Sequence, residues 1–144
     1  GVGLAGPQVG VPLRLFTYNF EDGKTHWRGV AINPVLYISP TPIGDPDPAS
    51  ESEGCLSAPT LRYPLRRAER AILEAVDIDN KPFRIEAEGW LARIFQHEYD
   101  HLNGILYIDR LNFLEHRRAT KACVENGWGK PGLTWTPGID GYES

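Results

Sequence analysis

The sequence predicts an α+β fold: antiparallel strands in small sheets around a central helix, with a second helix near the C-terminus. Two observations carry this. Short strand-like runs, Leu13–Tyr18, Gly29–Ile32, Arg70–Asp77 and Phe83–Glu86, come first and are separated by turn residues. From Trp90 the period changes: Trp90, Leu91, Ile94, Phe95, His97, Glu98, His101 and Leu102 recur at three-and-four spacing, one face of a helix. Strands first and helices late favour α+β over a βαβ arrangement.

Element by element, residues 1–10 (GVGLAGPQVG) put four glycines and a proline around Val2 and Leu4. That reads as extended chain entering a tight turn, with glycines where backbone must come close to something. Leu13–Tyr18 and Gly29–Ile32 read as strands, and the polar stretch Asn19–Arg28 as their hairpin connection. Residues 39–52 hold four prolines among Ser, Asp and Glu, an exposed acidic loop ending at Glu53-Gly54-Cys55-Leu56-Ser57. Arg70–Asp77, a turn over Asp79–Pro82, and Phe83–Glu86 read as strand, turn and strand. Gly104 stands where a C′ glycine ends the first helix, and Asn112–Glu125 carries the second helical pattern. Gly127, Gly129, Pro131, Gly132, Pro137 and Gly138 make 127–144 an irregular tail.

Composition narrows the function classes. With 144 residues, 41% hydrophobic and 24% charged, the chain is sized for one domain, 1–144, with a single core. Lys+Arg 15 against Asp+Glu 19 gives a net charge of -4, against the basic surplus of a general nucleic-acid binder. No run approaches the roughly 20 apolar residues that span a bilayer. Two cysteines, Cys55 and Cys123, are too few for a disulfide scaffold, so a reducing, cytoplasmic setting is expected. The chain holds no methionine and starts at Gly1, which reads as a processed, trimmed or partial product.

The chemistry centres on His97-Glu98-Tyr99-Asp100-His101. Residues four apart on a helix lie one above the other, so both imidazoles can reach one ion. Glu98 points about 100° around the axis from His97, off the metal and towards a water on it. Lone histidines on an amphipathic helix are commonly just surface residues; the full H-E-x-x-H spacing in helical context outweighs that reading. A catalytic site needs a third protein ligand and one open position. The longer metzincin pattern holds through Gly104 and then meets Tyr107 in place of its last histidine. Glu115 or Glu125 would serve a thermolysin-like site, but neither lies in a second motif. Cys55, preceded by Gly54, is the favoured candidate, although a buried inert cysteine is common. Cys123 sits among Ala119, Ala122 and Val124 and has only the inert reading.

Three segments together resemble the peptide deformylases. Gly1-Val2-Gly3-Leu4-Ala5-Gly6-Pro7-Gln8 is similar to that family's first motif, Glu53-Gly54-Cys55-Leu56-Ser57 to its second, and Gln96-His97-Glu98-Tyr99-Asp100-His101-Leu102 to its third. The similarity continues from Arg62 through Arg67 to Leu111 and, for a subset of bacterial members, to Asn126-Gly127-Trp128-Gly129. It implies that Cys55, His97 and His101 bind Fe²⁺, with Zn²⁺, Ni²⁺ or Co²⁺ able to substitute. It further implies cleavage of the N-formyl group from the formyl-methionine of nascent polypeptides, releasing formate. In that reaction metal-bound hydroxide attacks the formyl carbon, Glu98 is the general acid/base, and the Gln8 side-chain amide and Leu56 N–H hold the oxyanion. The substrate adds as a strand along Val2-Gly3-Leu4, at Gly3 in particular. Gly54 joins the substrate site, and Val2, Trp90 and Arg93 offer a methionine pocket, Arg93 by its stem at a rim. Ile94 reads better as core.

This chain departs from the family in places. Gly6 stands where alanine is usual and should loosen the loop that holds Gln8, altering rate or affinity. Ala58-Pro59-Thr60-Leu61 differs from the commoner Val-Pro-Gly, and Tyr63 replaces a small residue. The resemblance also implies an N-terminal segment before the first motif that is absent here. The alternatives are an H-E-x-x-H zinc metallopeptidase with another third ligand, and a binding module holding metal structurally. Arg117, Arg118 and Lys121 could supply a transient ribosome contact through phosphates, but a solvated helix face is the better reading of them. No membrane and no specific nucleic acid is expected as a partner.

Overall fold

A computed structural model of the chain describes residues 1–136 and 139–140; the tail residues Pro137 and Gly138, and 141–144, lie outside the described residues. The chain divides into two compact units, one built from Gly1–Gly44 and Arg66–Ile105, the other from Asp45–Leu65 and Leu106 onward.

The first unit is a five-stranded antiparallel sheet carrying one helix. Its strands are β1 (Gly3–Ala5), β2 (Leu15–Asp22), β3 (Thr25–Ile38), β6 (Arg70–Val76) and β7 (Pro82–Glu88), in the order β1-β2-β3-β6-β7. Neighbouring strands are consecutive except across β3 and β6, so the sheet is nearly a meander. Strands β2 and β3 pair from Leu15↔Ile32 to Asp22↔Thr25, closed by a two-residue turn where Gly23 supplies φ +56°. Both strands run further than the sequence pattern suggests. Asn19–Arg28 is mostly polar and exposed, and its apolar face is a single cross-strand pair, Phe20 opposite Trp27, half-buried against the core. At Asn33-Pro34 the β3–β6 register slips; Asn33 takes φ +50°, which asparagine tolerates, and its N–H donates to Arg14 O at 2.8 Å.

Helix α1 (Gly89–Leu102) lays Leu91, Ala92 and Phe95 on this sheet, against Phe16, Tyr18, Ala31, Ala71 and Leu73. Phe16, Tyr18 and Phe95 form a ring cluster with centroids 5.4 to 6.3 Å apart. Such pairs add about 0.5–1.5 kcal/mol each beyond their buried area. The helix ends at Asn103, with Gly104 in the left-handed conformation (φ +74°), as its spacing predicts. Arg14 closes the C-terminus by donating from Nη1 to Leu102 O at 3.0 Å and to Asn103 Oδ1 at 3.1 Å, a cation where the helix dipole favours one.

In the second unit, β4 (Ser52–Cys55) and β5 (Ala58–Pro64) form a two-stranded ribbon. A 3-10 turn (Tyr107–Arg110) and helix α2 (Phe113–Glu125) follow. Leu65, Tyr107, Leu111 and Ala119 make the buried cluster, with Cys55, Tyr63 and Ile108 packed on it. Asn112 caps α2, its Oδ1 accepting from the Glu115 N–H at 2.9 Å. The sequence pattern does not reveal β5: Pro59 and Pro64, near its two ends, suppress its strand signal.

Candidate metal centre

The register of β4 and β5 aims Cys55. Glu53 pairs with Tyr63 and Gly54 with Arg62, then the register slips so that Cys55 opposes Ala58. A bulge of this kind bends a strand and redirects a side chain. The cysteine's sulfur accepts from the Ser57 backbone N–H at 3.4 Å, a contact that suits a thiolate and fixes its direction. Leu56 lies in the turn between the strands, and its carbonyl accepts from Trp135 Nε1 at 2.8 Å. That bond fixes the carbonyl side of the Leu56 residue.

On α1, residues fall into stripes. Leu91 and Phe95 face the sheet. Gln96 and Asp100, one turn apart, face the segment before β6. Gln96 Oε1 accepts from Ala68 N–H at 3.1 Å while its Nε2 donates to Ala68 O at 2.9 Å and to Ala92 O at 3.0 Å. Asp100 Oδ2 meets Arg67 Nη1 at 2.7 Å, both side chains being buried. The next stripe carries His97 and His101, with ring centroids 5.0 Å apart and planes at 67°. Two buried polar contacts to Arg67 and Ala68, one just before the motif and one within it, thus fix the helix's rotation. The sequence reading assigned Gln96, Arg67 and Asp100 no such role. Their signal was there: a polar i,i+4 pair beside the histidine pair on a helix with no exposed reason to be polar.

Among the described residues, Cys55, His97 and His101 form the group suited to a metal: each offers one ligand atom, and these atoms lie within 4.8 Å of one another. One thiolate and two imidazoles is a donor set for a divalent transition metal, and three ligands leave a coordination position for chemistry. Glu115 and Glu125, the alternative third ligands, are engaged elsewhere: Glu115 with Arg118 at 3.1 Å and Glu125 with Lys121 at 3.8 Å.

Glu98 is buried, 4% exposed, on the stripe that meets β1. Gln8 follows β1 in a 3-10 turn (Gly6–Val9), half-buried, with its Oε1 accepting from Ala5 N–H at 2.9 Å. Gly6 does not loosen this turn. A Cβ there would lie 2.9 Å from the carbonyl oxygens of both Val11 and Leu13, so the loop has closed up around the glycine. Val2 is exposed, and its carbonyl accepts from Asn19 N–H, extending the β1–β2 pairing. Trp90 is 36% exposed with the Arg93 guanidinium 5.3 Å from its ring centroid, and Arg93 is itself buried instead of standing at a rim. Ile94 is core. Gly54 has its Cα against Arg62, where a Cβ would come 3.1 Å from Nη1.

A family model for polypeptide deformylase matches residues 1–117. The chain is 46% identical over 152 residues to peptide deformylase of Tropheryma whipplei, covering 95% of this chain and 74% of the relative. It is 50% identical over 141 residues to that of Mycobacteroides abscessus, covering 96% and 72%. Among solved structures, peptide deformylase from Thermus thermophilus superposes with a TM-score of 0.73 at 37% identity, covering 87% of this chain and 71% of that one. The Synechococcus elongatus enzyme in complex with actinonin gives 0.72 at 34%, covering 94% and 71%. The α+β architecture, the three motifs and these matches place the chain in the peptide deformylase family, as a deformylase hydrolase.

Proposed function

We propose that this chain removes the N-formyl group from the formyl-methionine of nascent polypeptides, with Cys55, His97 and His101 holding an Fe²⁺ ion that Zn²⁺, Ni²⁺ or Co²⁺ can replace. The observation that carries it is the Cys/His/His group itself, its ligand atoms within 4.8 Å, in a chain of this family. A bound ion of this kind supplies Lewis acidity, making water a competent nucleophile at neutral pH.

The protein's own groups do the rest. Glu98 takes a proton from the attacking water and delivers it to the leaving nitrogen, so that formate and a free amine result. Its burial removes competing solvent from that transfer. Gln8, pinned at its oxygen by Ala5, aims Nε2–H at charge developing on the formyl oxygen, and the Leu56 N–H is the second donor. β1 is the outermost strand of its sheet, an edge to which an extended peptide adds through main-chain hydrogen bonds at Gly3. Val2, Gly54, Trp90 and Arg93 complete the substrate site. The whole chain serves as one catalytic domain, working in the cytoplasm where nascent chains are made. On α2, Arg117 sits over the Phe113 ring at 5.8 Å while Arg118 and Lys121 pair with their own helix's glutamates, which supports a solvated face over a phosphate-binding one.

The test is formate release from formyl-Met-Ala-Ser by protein loaded with Fe²⁺ under anaerobic conditions. Wild type should turn over, and Glu98→Ala should lose at least about 10²-fold in kcat with its metal retained. Actinonin, the ligand of the Synechococcus relative, should inhibit. No formate from loaded wild type, or cleavage of unformylated peptides instead, would refute the proposal in favour of a metallopeptidase.

A further inference from the structure

Gly3 lies in β1 paired with Tyr18, in ordinary extended backbone and not among the glycines of positive φ. Nothing in its own conformation calls for glycine; a strand position ordinarily favours a residue with a side chain. Its neighbour supplies the reason. A Cβ on Gly3 would lie 2.6 Å from Glu98 Oε1 and 2.8 Å from both Cδ and Cγ of the same side chain. The collision runs along the carboxylate and its methylene, so turning the tip aside does not relieve it. Every one of the nearest atoms belongs to Glu98. The space a side chain would take at position 3 is the space the carboxylate occupies.

We infer that Gly3 is a positioning residue for Glu98: its missing side chain is the seat that holds the carboxylate against the substrate edge. Resting on the deformylase reading, this explains how one strand serves two ends. A peptide paired to β1 at Gly3 is placed on the stretch of backbone against which the proton-transferring carboxylate is already packed. Substrate register and base position are therefore set by the same residue. Gly29 shows the contrast within the same sheet: there a Cβ would meet the far end of the Tyr18 side chain, its hydroxyl at 2.6 Å, and no carboxylate.

The experiment is a double-mutant cycle of Gly3→Ala and Glu98→Ala, read by urea midpoint and by steady-state kinetics on formyl-Met-Ala-Ser with Fe²⁺-loaded protein. In the wild-type background Gly3→Ala should lower the midpoint. In the Glu98→Ala background the same change should leave the midpoint unchanged or raise it, since alanine restricts the unfolded chain more than glycine. Kinetically, Gly3→Ala alone should reduce kcat at least tenfold while KM moves less than threefold, with metal content equal to wild type. An equal midpoint loss in both backgrounds overturns the inference, as does a raised KM with kcat unchanged, the signature of a residue that only binds substrate. The stability cycle needs no turnover, so it decides the seat even if loaded wild type releases no formate.

Discussion

Thr60 is the residue whose local chemistry is most at odds with its place. It sits in β5 with φ +70°, a left-handed conformation that β-branched residues rarely take. The family resemblance marks this stretch as a departure from a commoner glycine-containing sequence, and the backbone shows what the departure costs, on the order of 1–3 kcal/mol of strain. Glycine would relieve it and give back only about 0.4–1 kcal/mol through the unfolded chain. Thr60→Gly should therefore raise the urea midpoint, and a lowered midpoint would show that the threonine side chain contributes more than its strain. Gly6 teaches the opposite lesson: read as slack, it is instead a fitted position, because the backbone carbonyls of Val11 and Leu13 fold back to crowd it. Sequence pattern reports residue type at a position but not what folds back against it. For the same reason Gly3 was legible as a strand edge and not as a seat.

At the scale of elements, helix α1 was legible because all its stripes repeat at one period. Its apolar stripe and its histidine pair could be read directly. The Gln96/Asp100 stripe could be seen but not interpreted, since its partners, Arg67 and Ala68, come from a loop well before the helix in the chain. Removing one member of a buried ion pair leaves an uncompensated charge, costing about 3–5 kcal/mol. Arg67→Ala should show that loss by urea denaturation, and Arg67→Met with Asp100→Leu together should recover most of it. Equal instability of the single and paired variants would mean the contact serves only its own packing. The β4–β5 ribbon was hidden for a complementary reason. A very short first strand, a tight turn and a proline-studded partner leave too few alternations to reveal a strand, though its motif was plain. Chemistry was readable there before structure.

Across the whole molecule, the phenols of Tyr18, Tyr63 and Tyr107 are all held above their ordinary value of 10.0, burial being the largest cause in each, with Asp77 adding to it at Tyr18. An unfolded chain releases these protons near its ordinary phenol value, about 10, while the folded chain keeps them longer. Their contribution is thus fully present below about pH 10 and is lost as pH rises through the folded values. The urea midpoint should hold up to about pH 10 and fall above it, and Tyr18→Phe should flatten that fall; an unchanged slope would place the alkaline loss elsewhere. The α+β class and the order of most elements followed from periodicity, and the three motifs followed from residue identity. Grouping Cys55 with His97 and His101 followed from the family resemblance alone, because spacing left the third ligand open between residues distant in the chain. X-ray absorption of the metal-loaded protein tests that most directly. One sulfur and two imidazole nitrogens at the ion, with the sulfur lost in Cys55→Ala, is the predicted result. A nitrogen-and-oxygen shell with no sulfur, unchanged by that substitution, would contradict the centre.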